Sequence, residues 1–384
     1  MKKIILILSL VFVVSCQSSK EPIQPATPAE ATLSSSMQNL RANLVNLLPI
    51  VLDPTQFNAP QNRERLLTDV KNLVDISKQV NHSPAMSQMD PGLRFISTAF
   101  SQDLARAQES LELDKREFAR YTLMNVTAYC IECHTRTSSG PSFTSVELEK
   151  TLLSLSPMAR GEFLLSTRQF DKAFSEFESV IKNLLNTGNR TFELDKAVRY
   201  ALAISVKFQK DPKKSMDIAQ LVEGASKAPY YLKQDAHAWV SSIKEWQNEK
   251  KSKNPPDVLK SSDNLLKLGR SAQMGSSNRG GEIYFLRIVS DLNSFLRENV
   301  DKDKQGHALY LMGLAYEAVG DISVWSLHED YFESCIRTVP HTKWAERCYT
   351  KLEESSFLGF TGTAGVQLPV DVEMKLDSLH KLAF

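Results

Sequence analysis

The stretch TAYCIECHTR, residues 127–136, closes the last of four helical segments that come early in this 384-residue chain. Apolar residues recur at helical spacing almost throughout, without a series of alternating strands. The four segments cover 35–51, 60–81, 91–110 and 114–136, and prolines or aspartates mark their starts. The polar stretch TRTSSGPSFTS, residues 135–145, then interrupts the pattern. The sequence predicts an all-α protein that begins with a four-helix bundle over residues 35–140.

The motif at the end of the fourth segment carries specific chemistry. Cys130 and Cys133 lie three residues apart, and His134 follows at once. Two thiols at this spacing form thioether bonds to the two vinyl groups of one porphyrin, and the adjoining imidazole becomes an axial ligand of its iron. A redox disulfide and half of a zinc site are the alternatives, but the βαβ context and the two further zinc ligands are not found nearby. The motif predicts one covalent haem c.

The N-terminus reads as an export signal. Two lysines precede the apolar run Ile4 to Val14, which is too short to span a bilayer, so residues 1–15 are expected to be a signal peptide. The end of the run, VVSC, resembles the lipobox of bacterial lipoproteins, which implies that Cys16 is lipidated. Residues 16–34, rich in Pro, Ser, Ala and Thr, predict a flexible tether. Gln17 favours the outer membrane, so the expected location is the periplasmic face of the cell envelope.

The position of the motif at the end of the fourth helical segment indicates the class of c-type cytochrome. A bundle whose fourth helix ends in TAYCIECHTR resembles the class-two, cytochrome c-prime-like four-helix proteins, over residues 34–140. Members of that family either leave the iron open or close it with a Met from the first helix. Met37, Leu40, Leu44 and Leu47 share one helical face, so the resemblance makes Met37 the candidate sixth ligand. Core packing is the other role open to Met37.

The remainder, residues 146–384, has short polar breaks at the spacing of helix pairs. Gly161, Ala173 and Phe177 have the spacing of the small, small and aromatic positions of a tetratricopeptide repeat. A second unit matches at Gly313, Tyr316, Phe332, Cys335 and Pro340, with about three residues inserted in its turn. The resemblance to tetratricopeptide solenoids implies an α-solenoid with a surface for a partner protein. An irregular helical domain without a groove is the alternative.

The other two cysteines suggest a separate structural role. Cys335 and Cys348 fall on consecutive predicted helices around the Pro340 turn. In an oxidising compartment such a pair predicts a disulfide.

Composition narrows the class of function. With 46 basic and 45 acidic residues the chain has a net charge of +1, so nucleic acid is not expected as a partner. No catalytic triad, phosphate loop or compelling carboxylate pair is found, which argues against an enzyme. We expect a membrane-anchored haem protein for electron transfer or small-ligand binding, with the repeats holding a redox or envelope protein. A scaffold or assembly lipoprotein with an accessory haem is the alternative.

Overall fold

The computed structural model describes residues 28–87, 91–134, 152–153, 155–188, 191–249, 257–273, 278–298, 301–320, 327–363 and 365–384. These residues are overwhelmingly helical, and consecutive helices pack as pairs. The all-α class and the helix pairs predicted from the sequence are confirmed.

The N-terminal half of the fold begins with helices that match the predicted segments. Their bounds are α1 Pro28–Leu52, α2 Pro54–Asn58, a 3-10 turn Pro60–Asn62, α3 Arg63–Asn81, α4 Pro84–Ser87, α5 Pro91–Glu112 and α6 Arg116–His134. Proline opens α2 because its missing N–H is one that a first turn leaves unpaired anyway. The Asp53 carboxylate caps the same helix by accepting from the Thr55 amide at 2.8 Å.

The four long helices α1, α3, α5 and α6 pack in sequence order, and α6 returns to α1. Short connections make each helix antiparallel to the one before it, so this is an up-and-down bundle. Arg120 on α6 closes the ring by donating to the Val51 carbonyl at 3.0 Å and to that of Leu52 at 3.5 Å. Leu47, Leu73, Ile96 and Leu123 are among the buried side chains of its core.

One boundary differs from the sequence prediction. The tether was expected to extend to residue 34, whereas α1 begins at Pro28, seven residues before the predicted start at 35. The physical reason is that Leu33 has apolar partners: it is buried in a small cluster with Val80 and Met86. Burying these side chains favours extending the helix, and Pro28 suits a first helical turn.

The second half of the chain continues in helix pairs. The bounds are α7 Pro157–Ser166, α8 Phe170–Thr187, α9 Thr191–Leu202 with a π-helical continuation Ala203–Phe208, α10 Pro212–Gly224, α11 Tyr230–Glu249, α12 Val258–Ala272, α13 Glu282–Phe295, α14 Lys302–Val319, α15 Leu327–Thr338 and α16 Lys343–Gly359. A short hairpin with two residues in each strand follows, in which β1 Thr361–Gly362 pairs antiparallel with β2 Gly365–Val366. Helix α17 Val370–Ala383 ends the chain.

A glycine facing an aromatic ring sets the close approach within three of these pairs. A Cβ on Gly161 would lie 2.6 Å from the ring of Phe177, and one on Gly313 would collide with Phe332. The pair α12 and α13 repeats the contact, since a Cβ on Gly269 would lie 2.7 Å from the ring of Phe285. The first two units were predicted from the sequence, whereas the third, at Gly269, was not.

The bundle and the helix pairs are packed together. Helix α5 contacts α15, and α6 contacts α7. Gly92 on α5 permits the first contact, because a Cβ there would lie 2.5 Å from the Tyr331 hydroxyl. Buried side chains from both halves belong to one apolar cluster, so the two halves share a core.

Among the described residues, no helix combines the length and the apolar character that crossing a membrane requires.

Candidate functional site

The cysteine and histidine motif occupies the last turn of α6, which ends at His134. Residues three and four apart lie on the same side of an α-helix, so Cys130, Cys133 and His134 share one face. The Cys133 side chain is partly buried and packs against the core. The side chains of Cys130 and His134 lie outside the part of the chain that the structure describes.

The face that carries the motif is the bundle face of α6. Ala119, Leu123 and Val126 are buried in the bundle core. Cys130 follows Val126 by four residues and Cys133 follows it by seven, which continues the same helical stripe. Cys133 packs against this core with a partly buried side chain, as its position on the stripe predicts.

The spacer residue Glu132 lies on the opposite side of the helix, at about 200° from Cys130 by the 3.6-residue repeat. Its carboxylate is buried, and Oε2 accepts from Lys207 Nζ at 2.5 Å and from the Tyr316 hydroxyl at 2.6 Å. Lys207 and Tyr316 are buried as well, and Nζ lies 3.4 Å from the Tyr316 oxygen. This cluster of Glu132, Lys207 and Tyr316 joins the motif to two helices of the second half.

The local structure around Lys207 is unusual. The residue belongs to the π-helical segment Ala203–Phe208, and its own carbonyl accepts from the Ser290 hydroxyl on α13 at 2.7 Å. A π-turn changes the direction of the side chains that it carries and is often found at functional sites. On the other side of the cluster, the Tyr316 ring stacks on Tyr331 with centroids 5.2 Å apart.

A second polar group lies next to the motif. Tyr129 is buried in the bundle, and its hydroxyl donates to Asp103 Oδ2 on α5 at 2.6 Å. Burial, followed by this hydrogen bond to Asp103, raises the pKa of Tyr129 far above its usual range. The charge of Asp330 on α15 also raises the pKa of Tyr129. Burial raises the pKa of the Asp330 carboxyl itself to about 7.

Met37 lies at the end of the bundle that carries the motif. Helix α1 runs antiparallel to α6, and Arg120 marks the level of Val51. Going 14 residues back from Val51 gives Met37, and going 14 forward from Arg120 gives His134, so the two are about level along the bundle. The Met37 side chain is partly buried and packs against both the main core and the small cluster of Leu33, Val80 and Met86.

Three other side chains able to bind iron, those of His82, Met86 and Met89, come from the end of α3 and the connection to α5. His82 is exposed and its Nδ1 lies 2.7 Å from the Lys78 carbonyl, so it terminates α3 rather than entering the core. Met86 is buried beside Met37 on the short helix α4, within the connection between α3 and α5. Met89 lies outside the described residues.

The residues present fit a covalent haem in their chemistry. Two thiols and an imidazole share one helical face, that face continues an apolar stripe, and a thioether side chain packs at the same level of the bundle. Among the described side chains, no three His, Cys, Asp or Glu residues gather as a separate metal site.

Two predicted cysteine features lie apart from this site. The structure joins Cys335 on α15 to Cys348 on α16 as a disulfide, with Cα atoms 6.3 Å apart. Cys16, the predicted lipidation site, lies outside the described residues.

Comparison with protein-family models, with curated proteins and with solved structures finds no match to this chain.

Proposed function

We propose that this chain is a membrane-anchored c-type haem protein that transfers electrons or binds a small ligand. The observation that carries the proposal is the motif at the end of α6. Cys130, Cys133 and His134 share the helical face that continues the bundle-facing stripe of Val126. Few arrangements other than covalent haem attachment require two thiols at this spacing with an adjoining imidazole.

The residues have distinct roles in this proposal. Cys130 and Cys133 would hold the haem through their sulfurs, and His134 would supply a nitrogen ligand to its iron. When bound, the haem supplies one-electron redox chemistry and an iron able to accept a diatomic ligand. Met37 would decide between these two uses, because a methionine thioether bound to the iron would exclude exogenous ligands.

The rest of the chain serves location and partner binding in this proposal. A lipid on Cys16 holds the protein at the periplasmic face of the envelope, in the outer membrane. The helix pairs α7 to α17 offer the surface for a redox or envelope protein. Support comes from the small-residue contacts at Gly161, Gly269 and Gly313, which build the regular pairs that such surfaces need.

The direct test is haem retention after denaturation. We expect the wild-type chain, produced with a c-type maturation system, to keep its haem in acidified acetone, and the Cys130→Ser/Cys133→Ser variant to lose it. The matched control is Cys335→Ser/Cys348→Ser, which removes the other thiol pair and should retain covalent haem. Extraction of haem from the wild-type chain under these conditions would show that covalent attachment is wrong.

A scaffold or assembly lipoprotein is the second candidate. It is favoured by the extent of the helix pairs, which run from Pro157 to Ala383. Crosslinking in cells followed by identification of the partner separates the two functions. A redox protein supports electron transfer, whereas envelope-assembly machinery supports the scaffold with an accessory haem.

A further inference from the structure

We propose that Lys207 and Tyr316 are positioning residues for the haem motif, acting through Glu132. The second half of the protein is then part of the haem site rather than a separate binding module. This inference rests on the proposed function, because the motif that it positions is the proposed attachment site. It adds a role for three residues outside the thiol and imidazole set.

Glu132 lies within the motif itself. It stands between the two cysteines, one residue before Cys133 and two before His134. Backbone rotation at this turn moves all three ligating positions together, since they share one helical turn. A contact that fixes Glu132 therefore fixes the rotation of the face that carries Cys130, Cys133 and His134.

The contact of Glu132 is directional and shielded from water. The Glu132 oxygen has two donors, Lys207 Nζ at 2.5 Å and the Tyr316 hydroxyl at 2.6 Å, and these come from different helices. The Lys207 and Glu132 side chains are only 3% and 4% exposed. A pair so shielded from water interacts much more strongly than one at the surface, and its directional bonds permit few alternative arrangements.

Lys207 and Tyr316, the two donors to Glu132, are each held in place by further contacts. The π-turn that carries Lys207 is tied to α13 through the Ser290 hydroxyl, and the Tyr316 ring is stacked on Tyr331. Tyr331 in turn contacts Gly92 of the bundle. The support for Glu132 is therefore a rigid frame built from α9, α13, α14 and α15, which suits positioning better than a flexible surface pair would.

The energetics of a buried ion pair favour orientation over stability as the role of Glu132 and Lys207. Apolar side chains of similar volume often replace a buried ion pair with no loss of stability, because two charges need not then be desolvated. Burying both charges beside the motif makes sense where a particular geometry is required. An apolar contact in the same place would allow α6 to slide and rotate by small steps.

The test in the haem-loaded protein uses electron paramagnetic resonance of the ferric state, whose g values report the orientation of the axial ligands. Tyr316→Phe removes one donor to Glu132 while changing no charge and keeping the ring, so a change in g values reports geometry. Lys207→Met removes the second donor and should give a larger change. The matched control is Lys210→Met, which removes a lysine paired with Asp291 at the surface, at 3.2 Å.

We expect altered g values in Tyr316→Phe and Lys207→Met and wild-type values in Lys210→Met. Wild-type g values in both Tyr316→Phe and Lys207→Met, with full covalent haem by intact mass, would overturn the positioning role. If the wild-type chain carries no covalent haem, the proposed function fails.

A second measurement on the haem-free chain keeps the inference testable in that case. Lys207→Met leaves the Glu132 carboxylate buried without its cation, and we expect the folding equilibrium constant to fall by about 100-fold or more. Combining it with Glu132→Gln should recover most of that loss. Additive effects of the two substitutions in urea unfolding would mean that the two side chains are not coupled, and the inference would be wrong.

A stable double variant also separates positioning from support of the fold. If haem attaches to the folded Glu132→Gln/Lys207→Met protein, a purely structural role predicts wild-type g values. A positioning role predicts that the change in g values persists although stability has returned.

Discussion

Asp330 is a carboxyl group placed where a charge is disfavoured. It lies at the junction of α15 with the bundle, its Oδ2 is shielded from solvent and accepts no hydrogen bond from any described residue, and burial raises its pKa to about 7. The neighbouring Lys375 ammonium opposes this rise, while Glu333 and Glu329 add to it. The folded protein therefore holds a proton on Asp330 that the unfolded chain releases near pH 4.

This proton makes stability depend on pH. Between about pH 4 and pH 7 the folded state binds more protons than the unfolded state, so the free energy of unfolding falls as pH rises through this range. We predict that Asp330 contributes a loss on the order of 2 kcal/mol between pH 5 and pH 8. Urea unfolding at both pH values measures it.

Asp330→Asn should reduce that difference, because the amide stays neutral at both pH values. Asp217→Asn, at an exposed position of α10, is the matched control and should leave the pH dependence unchanged. An Asp330→Asn protein with the full wild-type slope would show that the carboxyl is already ionised at pH 5.

Met37 offers a second residue-scale prediction, which concerns the coordination of the iron. Under the proposed function, the wild-type ferric protein should be low-spin with the far-red charge-transfer band of methionine ligation. Met37→Ala should become high-spin and bind carbon monoxide faster, because no sixth ligand has to be displaced. Visible spectroscopy and stopped-flow mixing measure both effects.

The neighbouring methionine supplies the control for this experiment. Met86 is buried in the same cluster as Met37, so Met86→Ala removes a similar volume of apolar side chain. It should leave the low-spin spectrum intact. A wild-type spectrum that is already high-spin would assign Met37 to core packing and favour ligand binding over electron transfer.

Within three of the helix pairs, a glycine facing a phenylalanine ring sets how closely the two helices approach. We predict that Gly313→Ala destabilises the protein by about 1–3 kcal/mol, because the added methyl collides with the buried Phe332 ring. Gly224→Ala is the control, since a Cβ there meets nothing within 4 Å and should stabilise by about 0.4–1 kcal/mol. Thermal or urea unfolding compares them, and equal effects would contradict this account of the pairs.

The same contact explains how far the sequence could predict these elements. Glycine precedes its phenylalanine by 16 residues in the pairs of Gly161 and Gly269, and by 19 in the pair of Gly313, whose turn is longer. The unit at Gly269 has the same spacing as the unit at Gly161, with a small residue 12 positions on, at Gly281, and Phe285 16 positions on, so its sequence signal was present but was overlooked. Apart from the start of α1, the described ends of the bundle helices were predicted within about three residues, since local apolar spacing and prolines determine them.

The contacts of Glu132 with Lys207 and Tyr316 could not be predicted from the sequence, because they join residues far apart in the chain. Glu132 lies 75 residues from Lys207 and 184 from Tyr316, and nothing local distinguishes that lysine from others. Its burial depends on a π-turn, which has no clear sequence signal, and on the packing of four helices. The motif itself was visible because its three residues are adjacent in sequence.

At the scale of the whole molecule, the distance between the membrane and the bundle is limited by covalent geometry. From Cys16 to the start of α1 at Pro28 the chain advances 12 residues. A fully extended segment of this length spans at most about 40 Å. If Cys16 is acylated, the start of α1 stays within roughly that distance of the bilayer surface.

This restriction depends on one cysteine, whose replacement should free the protein from the membrane. Cys16→Ser should abolish labelling by a radioactive or clickable fatty acid and release the protein into the soluble periplasmic fraction, because the acyl chains on Cys16 are the proposed membrane anchor. Ser15→Ala is the matched control, since it keeps a small residue before the cysteine and should remain labelled and membrane-bound. Haem attachment should be equal in both, as α6 begins 100 residues after the anchor. Unchanged lipid labelling of Cys16→Ser would remove the lipoprotein assignment while leaving the haem motif untouched.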